Sequence, residues 1–93
     1  MWVRIRELSF PADRADDVIN HVRDTAVVRF DGDSHRGFRL LVDRPNSRAL
    51  EVSYWESEAE ARAHAAVDAA NLTNLPGGAV ERTSHYELAI DAV

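Results

Sequence analysis

A chain of 93 residues fits one domain and removes only about 60–65% of its unfolded surface from water on folding, which leaves a thin core and favours association with a second copy. Its 45% hydrophobic and 29% charged residues match an ordinary globular protein and exclude a disordered tail. A formal net charge of -5 with scattered arginines argues against a phosphate-tracking surface, while the lack of cysteine and lysine excludes disulfides, thiolate metal sites, cysteine nucleophiles and Schiff-base chemistry.

Met1 to Glu7 alternates charged with apolar side chains and lacks the apolar run of a signal peptide, and no later stretch approaches a membrane span. The expected setting is cytoplasmic, with neither membrane nor nucleic acid as partner. Arg as the sole long cation, with many Ala, Asp and Val, points to a GC-rich bacterial genome. Trp2 to Leu8 reads as a strand, with Val3 and Ile5 on one face and Arg4 and Arg6 on the other. Pro11 ends it, and Asp13, Asp16 and Asp17 suit the positive end of a helix whose apolar residues Ala15, Val18, Ile19, Val22 and Ala26 recur every three or four positions. Asp31-Gly32-Asp33-Ser34 is a turn, without the later bidentate Glu of a calcium loop. Phe38, Leu40 and Val42 mark a second strand, and Leu50, Val52 and Tyr54 a third, joined across Pro45-Asn46-Ser47 as an antiparallel hairpin. Ser57 and Glu60 form a capping box at the start of a second helix, whose inner face reads as Ala59, Ala63, Ala66, Val67 and Ala70. Beyond the Leu75-Pro76-Gly77-Gly78 loop, Tyr86, Leu88 and Ile90 alternate with His85, Glu87 and Ala89 in a last strand.

This order predicts an α+β domain spanning residues 1–93, a ferredoxin-like βαββαβ arrangement with a four-stranded antiparallel sheet and two helices on one face. The helix-side face is expected to hold Val3, Ile5, Phe38, Leu40, Val42, Leu50, Val52, Tyr54, Tyr86, Leu88 and Ile90. The open face would then carry Trp2, Ser53 and His85, together with the candidate dimer-interface residues Arg4, Arg6, Arg39, Leu41, Glu51, Trp55 and Glu87. Large apolar groups on an open sheet form a patch, and patches usually mark contacts. The bland alternative is a half-solvated sheet with cross-strand ion pairs such as Arg39 with Glu51.

The segment Arg36-Gly37-Phe38-Arg39-Leu40-Leu41-Val42-Asp43-Arg44, then Leu50 to Trp55 and Glu56-Ser57-Glu58-Ala59, resembles the antibiotic-biosynthesis monooxygenase-like domains of the dimeric α/β-barrel group. The resemblance implies a homodimer whose sheets face each other as a dimeric α/β barrel, with a pocket in each subunit between helices and sheet. It also implies diverse activities: some relatives oxidise aromatic polyketides with oxygen and neither metal nor flavin, and some degrade haem. The haem-degrading relatives use an Asn on the first strand with a Trp and a His on the second helix. Here Arg4 and Arg6 stand on the first strand, no Trp follows Trp55, and His64 is the imidazole of that helix. The resemblance therefore points away from haem.

Phe38, Tyr54, Trp55, His64 and Tyr86 are the ligand-pocket candidates, as residue types able to pack against or orient an apolar or aromatic small molecule. Surface exposure of His64 and simple packing of Trp55 are the competing readings. The histidines lack chelating spacings, so no metal is expected, and the resemblance to the metal- and flavin-free oxygenases implies no cofactor. The catalytic residues stay open, and the rival to a cofactor-free monooxygenase is a non-catalytic small-molecule-binding or dimeric assembly module.

Overall fold

The computed structural model describes residues 1–29, 35–65 and 75–92. Strand β1 (Trp2–Ser9) leads through a 3₁₀ turn (Ala12–Arg14) into helix α1 (Ala15–Arg29). Strands β2 (His35–Asp43) and β3 (Arg48–Trp55), helix α2 (Glu58–Ala63) and strand β4 (Ala79–Glu87) follow. The sheet runs in the order β2-β3-β1-β4, with every neighbouring pair antiparallel. This is the expected ferredoxin-like topology. No helix among the described residues is long and apolar enough to cross a membrane.

Local chemistry explains the boundaries. Pro11 is extended and its carbonyl accepts from the Arg14 amide at 2.9 Å, so the strand turns into the 3₁₀ segment before α1 begins. The Ser57 hydroxyl accepts the Glu60 amide at 3.2 Å, the cap expected for α2. Strand β4 ends at Glu87, which faces Trp2 at the start of β1, and the Leu88 amide reaches the Met1 carbonyl at 2.9 Å. The expected extension through Leu88 and Ile90 therefore does not form, and Ile90 is 83% exposed. The loop before β4 lies so close to β1 that a Cβ on Gly78 would meet the Ser9 carbonyl oxygen at 2.7 Å. The outermost strand β2 is irregular between His35 and Phe38, where Gly37 takes a φ of 122°.

Both helices cover one face. Val18 and Val22 of α1 bury against Leu8 and Ala49, with Phe38, Leu40 and Val42 at the margin, while α2 rests above Arg4 and Arg6. Arg4 and Arg6 share the Leu8 face by strand alternation, and their partners Ser53 and Glu51 share the face of Ala49 and Trp55.

That phase corrects the expected faces of three strands. Arg4, Arg6, Glu51, Ser53, Trp55, His85 and Glu87 lie on the helix side, whereas Val3, Ile5, Leu50, Val52, Tyr54 and Tyr86 lie on the open face. Only β2 keeps the expected phase, with Phe38, Leu40 and Val42 toward α1 and Arg39 and Leu41 outward. Arg39 pairs with Val52 in register, so the expected Arg39–Glu51 couple is not formed across the strands. Alternation shows which residues share a face and not which face receives the helices. Since the covered face carries Arg4, Arg6, Glu51 and Ser53 and the open face Val3, Ile5 and Val52, the in-phase Leu8 and Ala49 decide the matter. On α2 the inner residue is Ala61, fully buried, while Ala59 and Ala63 are exposed; Ala66, Val67 and Ala70 lie outside the described residues.

The guanidinium of Arg4 has no exposed surface and donates to the Ala61 carbonyl at 2.8 Å, while Arg6 donates to Ala65 at 3.0 Å. Arg4→Ala should cost about 3 kcal/mol in urea unfolding, through loss of a charged hydrogen bond and of packing at a buried site. A cost below about 1 kcal/mol would show that α2 docks without it.

Candidate functional site

The space between helices and sheet divides into a polar half under α2 and an apolar half beside α1. In the polar half Trp55 is 1% exposed and its indole N–H donates to the Ser53 hydroxyl at 2.8 Å. Two groups lie against its ring: the Arg4 guanidinium carbon at 4.8 Å from the ring centroid, and the His64 ring stacked at 5.1 Å with an interplanar angle of 28°. The arginine lies over the electron-rich face of the indole, the geometry of a cation–π contact. Glu51, 1% exposed, faces Arg6 across the strands in the same layer.

His85 sits opposite Arg4 in the pairing of β1 with β4. Its Nε2 is out of water with no hydrogen-bond partner among the described residues. Burial, then the positive charges of Arg62 and Arg4, hold its imidazole below the ordinary value of 6.5, against a smaller opposing pull from Glu58.

The apolar half opens as a groove of about 560 Å³ between α1 and β2. Its walls are Ile19, Val22 and Ala26 from the helix and Phe38, Leu40 and Val42 from the strand. Arg23, Arg39 and Arg44 complete the lining, which among the described residues contains no carboxylate and no imidazole. The volume falls in the range of roughly 300–1,000 Å³ usual for small-molecule sites. A second recess of about 310 Å³ lies at the end of the hairpin, between Glu7 and Leu8 of β1, Leu41 and Asp43 of β2, and Leu50 of β3.

The ligand-pocket candidates read from the sequence occupy three places. Phe38 lines the groove, and Trp55 and His64 stack together beneath α2. Tyr54 and Tyr86 are on the open face, where the Tyr54 hydroxyl accepts from Arg39 at 3.1 Å and Tyr86 is 50% exposed. The groove residues Ile19, Arg23 and Arg44 were not singled out. Ile19 and Arg23 are one helical turn apart beside the buried Val18 and Val22, and that placement at the edge of an apolar stripe was the available signal. Among the described residues no cluster of three or more His, Asp or Glu side chains could hold a metal ion.

No protein-family model matches the chain, and no curated protein matches it. Solved structures do. MhuD from Mycobacterium tuberculosis, described as a heme-degrader with two hemes bound in its active site, aligns over 100% of both chains with a TM-score of 0.77 and 21% identity. A single-residue variant of MhuD, with two manganese protoporphyrin IX molecules per active site, aligns over 100% of this chain and 99% of that one, at a TM-score of 0.81 and 21% identity. A structure from Deinococcus radiodurans described as an antibiotic biosynthesis monooxygenase covers 100% of this chain and 96% of its own, at 0.71 and 20% identity. The chain therefore has the antibiotic biosynthesis monooxygenase fold, as the resemblance of its second hairpin implied.

Because folding lowers the value for His85, protonation favours the unfolded chain. The stabilising contribution of its neutral form is present above about pH 6.5 and is lost as pH falls through that value toward the folded one. His85→Gln should flatten the decline in stability between about pH 7.5 and 5.5 in urea titrations. An unchanged slope would assign the acid sensitivity elsewhere.

Proposed function

We propose that this protein is a small monooxygenase of the antibiotic-biosynthesis type, acting without metal or flavin on an apolar or aromatic small molecule, and working as a homodimer. The observation that carries this reading is the open apolar groove between α1 and β2, in a fold shared with proteins described as monooxygenases. Arg4, Arg6, Trp55 and His64 take up space beneath α2. This favours a ligand smaller than a porphyrin.

The chemistry suited to such a site is oxidation of an activated methylene between aromatic rings. The substrate loses a proton to give an enolate, the enolate reduces oxygen, and CH₂ with O₂ becomes C=O with H₂O. All four electrons come from the substrate, so no separate reductant is needed. The groove lining offers guanidinium groups, which stabilise an anion and do not accept a proton. The substrate must accordingly be acidic enough to ionise readily.

That same lack of a proton acceptor favours a second reading, a non-catalytic carrier for the same class of ligand. Anthrone, which has such a methylene, separates the two. The first predicts saturable acceleration of oxygen uptake, one O₂ per carbonyl formed, unchanged by chelators. Binding without oxygen uptake selects the carrier. Absence of binding, or turnover of hemin instead, overturns both.

The open face supports self-association. Val3, Ile5, Val52, Leu41 and Leu50 form its apolar centre, with Leu41 52% exposed. Around them Glu7 and Asp43 stand against Arg39, Arg48 and Arg82, so a two-fold axis can bring opposite charges together. Leu41→Asp should yield monomers in sedimentation. A persistent dimer would rule out sheet-to-sheet pairing.

A further inference from the structure

We infer that the ligand of the α1–β2 groove is an amphipathic anion, an apolar body bearing one carboxylate that is received by Arg23. The inference rests on the groove being the ligand site and adds the chemical class of what enters it.

The groove combines apolar walls with arginines and, among the described residues, has no acidic lining, in a chain whose net charge is -5. The three guanidinium groups are not equivalent. Arg44 is neutralised by Asp16, its Nη2 lying 2.8 Å from the carboxylate. Arg39 points to the opposite face, where it donates to the Tyr54 hydroxyl at 3.1 Å and lies 5.4 Å from that ring's centroid. Arg23 donates only to the neutral side-chain oxygen of Asn20, at 2.9 Å, and has no ion pair among the described residues. Its neighbour Asp24 projects from a different side of α1 and is not part of the lining.

An exposed guanidinium at the lip of an apolar slot favours a ligand whose hydrocarbon part enters the slot and whose carboxylate remains in reach of water. In that geometry the apolar body gains from burial, while the carboxylate pairs with Arg23 without complete dehydration. A cationic ligand would meet only like charge in the lining. A neutral one would leave the Arg23 donors to water.

The test uses naphthylacetate and its neutral isostere naphthylacetamide as probes, titrated into the full chain by calorimetry. The acid should bind about fivefold more tightly than the amide at low salt, the order of magnitude of one exposed ion pair. Added salt should erase that preference without weakening the amide. Arg23→Gln should reduce the acid to the affinity of the amide, and Arg23→Lys should restore part of the difference. Equal binding of acid and amide, or equal losses for both in Arg23→Gln, overturns the assignment of a carboxylate to Arg23 and leaves the groove as a site for neutral ligands. Failure of both probes to bind overturns the groove as the ligand site and this inference with it. Since Arg23 is exposed, the variants should keep the wild-type unfolding midpoint.

Discussion

Two guanidinium groups enclosed between α2 and the sheet set the terms for the rest of the molecule. Arginine keeps its charge at any accessible pH, so Arg4 and Arg6 cannot escape burial by losing a proton. They instead donate to the carbonyls of Ala61, in α2, and Ala65, just beyond it. The dependence runs both ways. Six residues of helix are too few to persist alone in water, and α2 gains its position from the strand beneath it. Trp55, which donates to Ser53 and lies against Arg4 and His64, joins the same layer.

Filling one half of the inter-layer space with polar anchors leaves the other half to conventional apolar packing. Leu8, Ala49, Val18 and Val22 close the centre under α1, but the strip between that helix and the outer strand β2 stays open. The division assigns different work to the two helices. One is held by directed hydrogen bonds, and the other by apolar contact that a ligand body could extend.

The topology followed from the sequence because each boundary carries its own chemical mark: Pro11 after the first strand, the Ser57 cap, the Pro45-Asn46-Ser47 turn, and the glycines before the last strand. The face assignment did not follow. Val3, Ile5 and Val52 resemble core residues, and on the outer side of the sheet Val3 and Val52 are buried at 8% exposure each while Ile5 is half-buried. Arg4 and Arg6 resemble solvent residues because arginine seldom lies fully inside. Both impressions fail where a sheet is covered on its polar-looking side. Leu8, in phase with those arginines, was the contrary signal. The groove was harder to foresee, since Phe38 marks its floor while Arg23 and Arg44 reach its rim from segments distant in sequence. Similarly, residue types suited to a pocket do not imply a shared location: Tyr54 and Tyr86 emerge on the opposite side from His64.

The irregularity at Gly37 bears on how separate molecules avoid one another. Among the described residues β2 is an outer strand of the sheet, and the edge of a sheet can recruit a strand from another chain. A φ of 122° belongs to glycine, and the break in register between His35 and Phe38 bends the strand at its start. A Cβ at Gly37 would find no atom within 4 Å, so the barrier to another residue is backbone conformation and not crowding. A replacement would be tolerated only by straightening the edge, making it a better template for fibril growth.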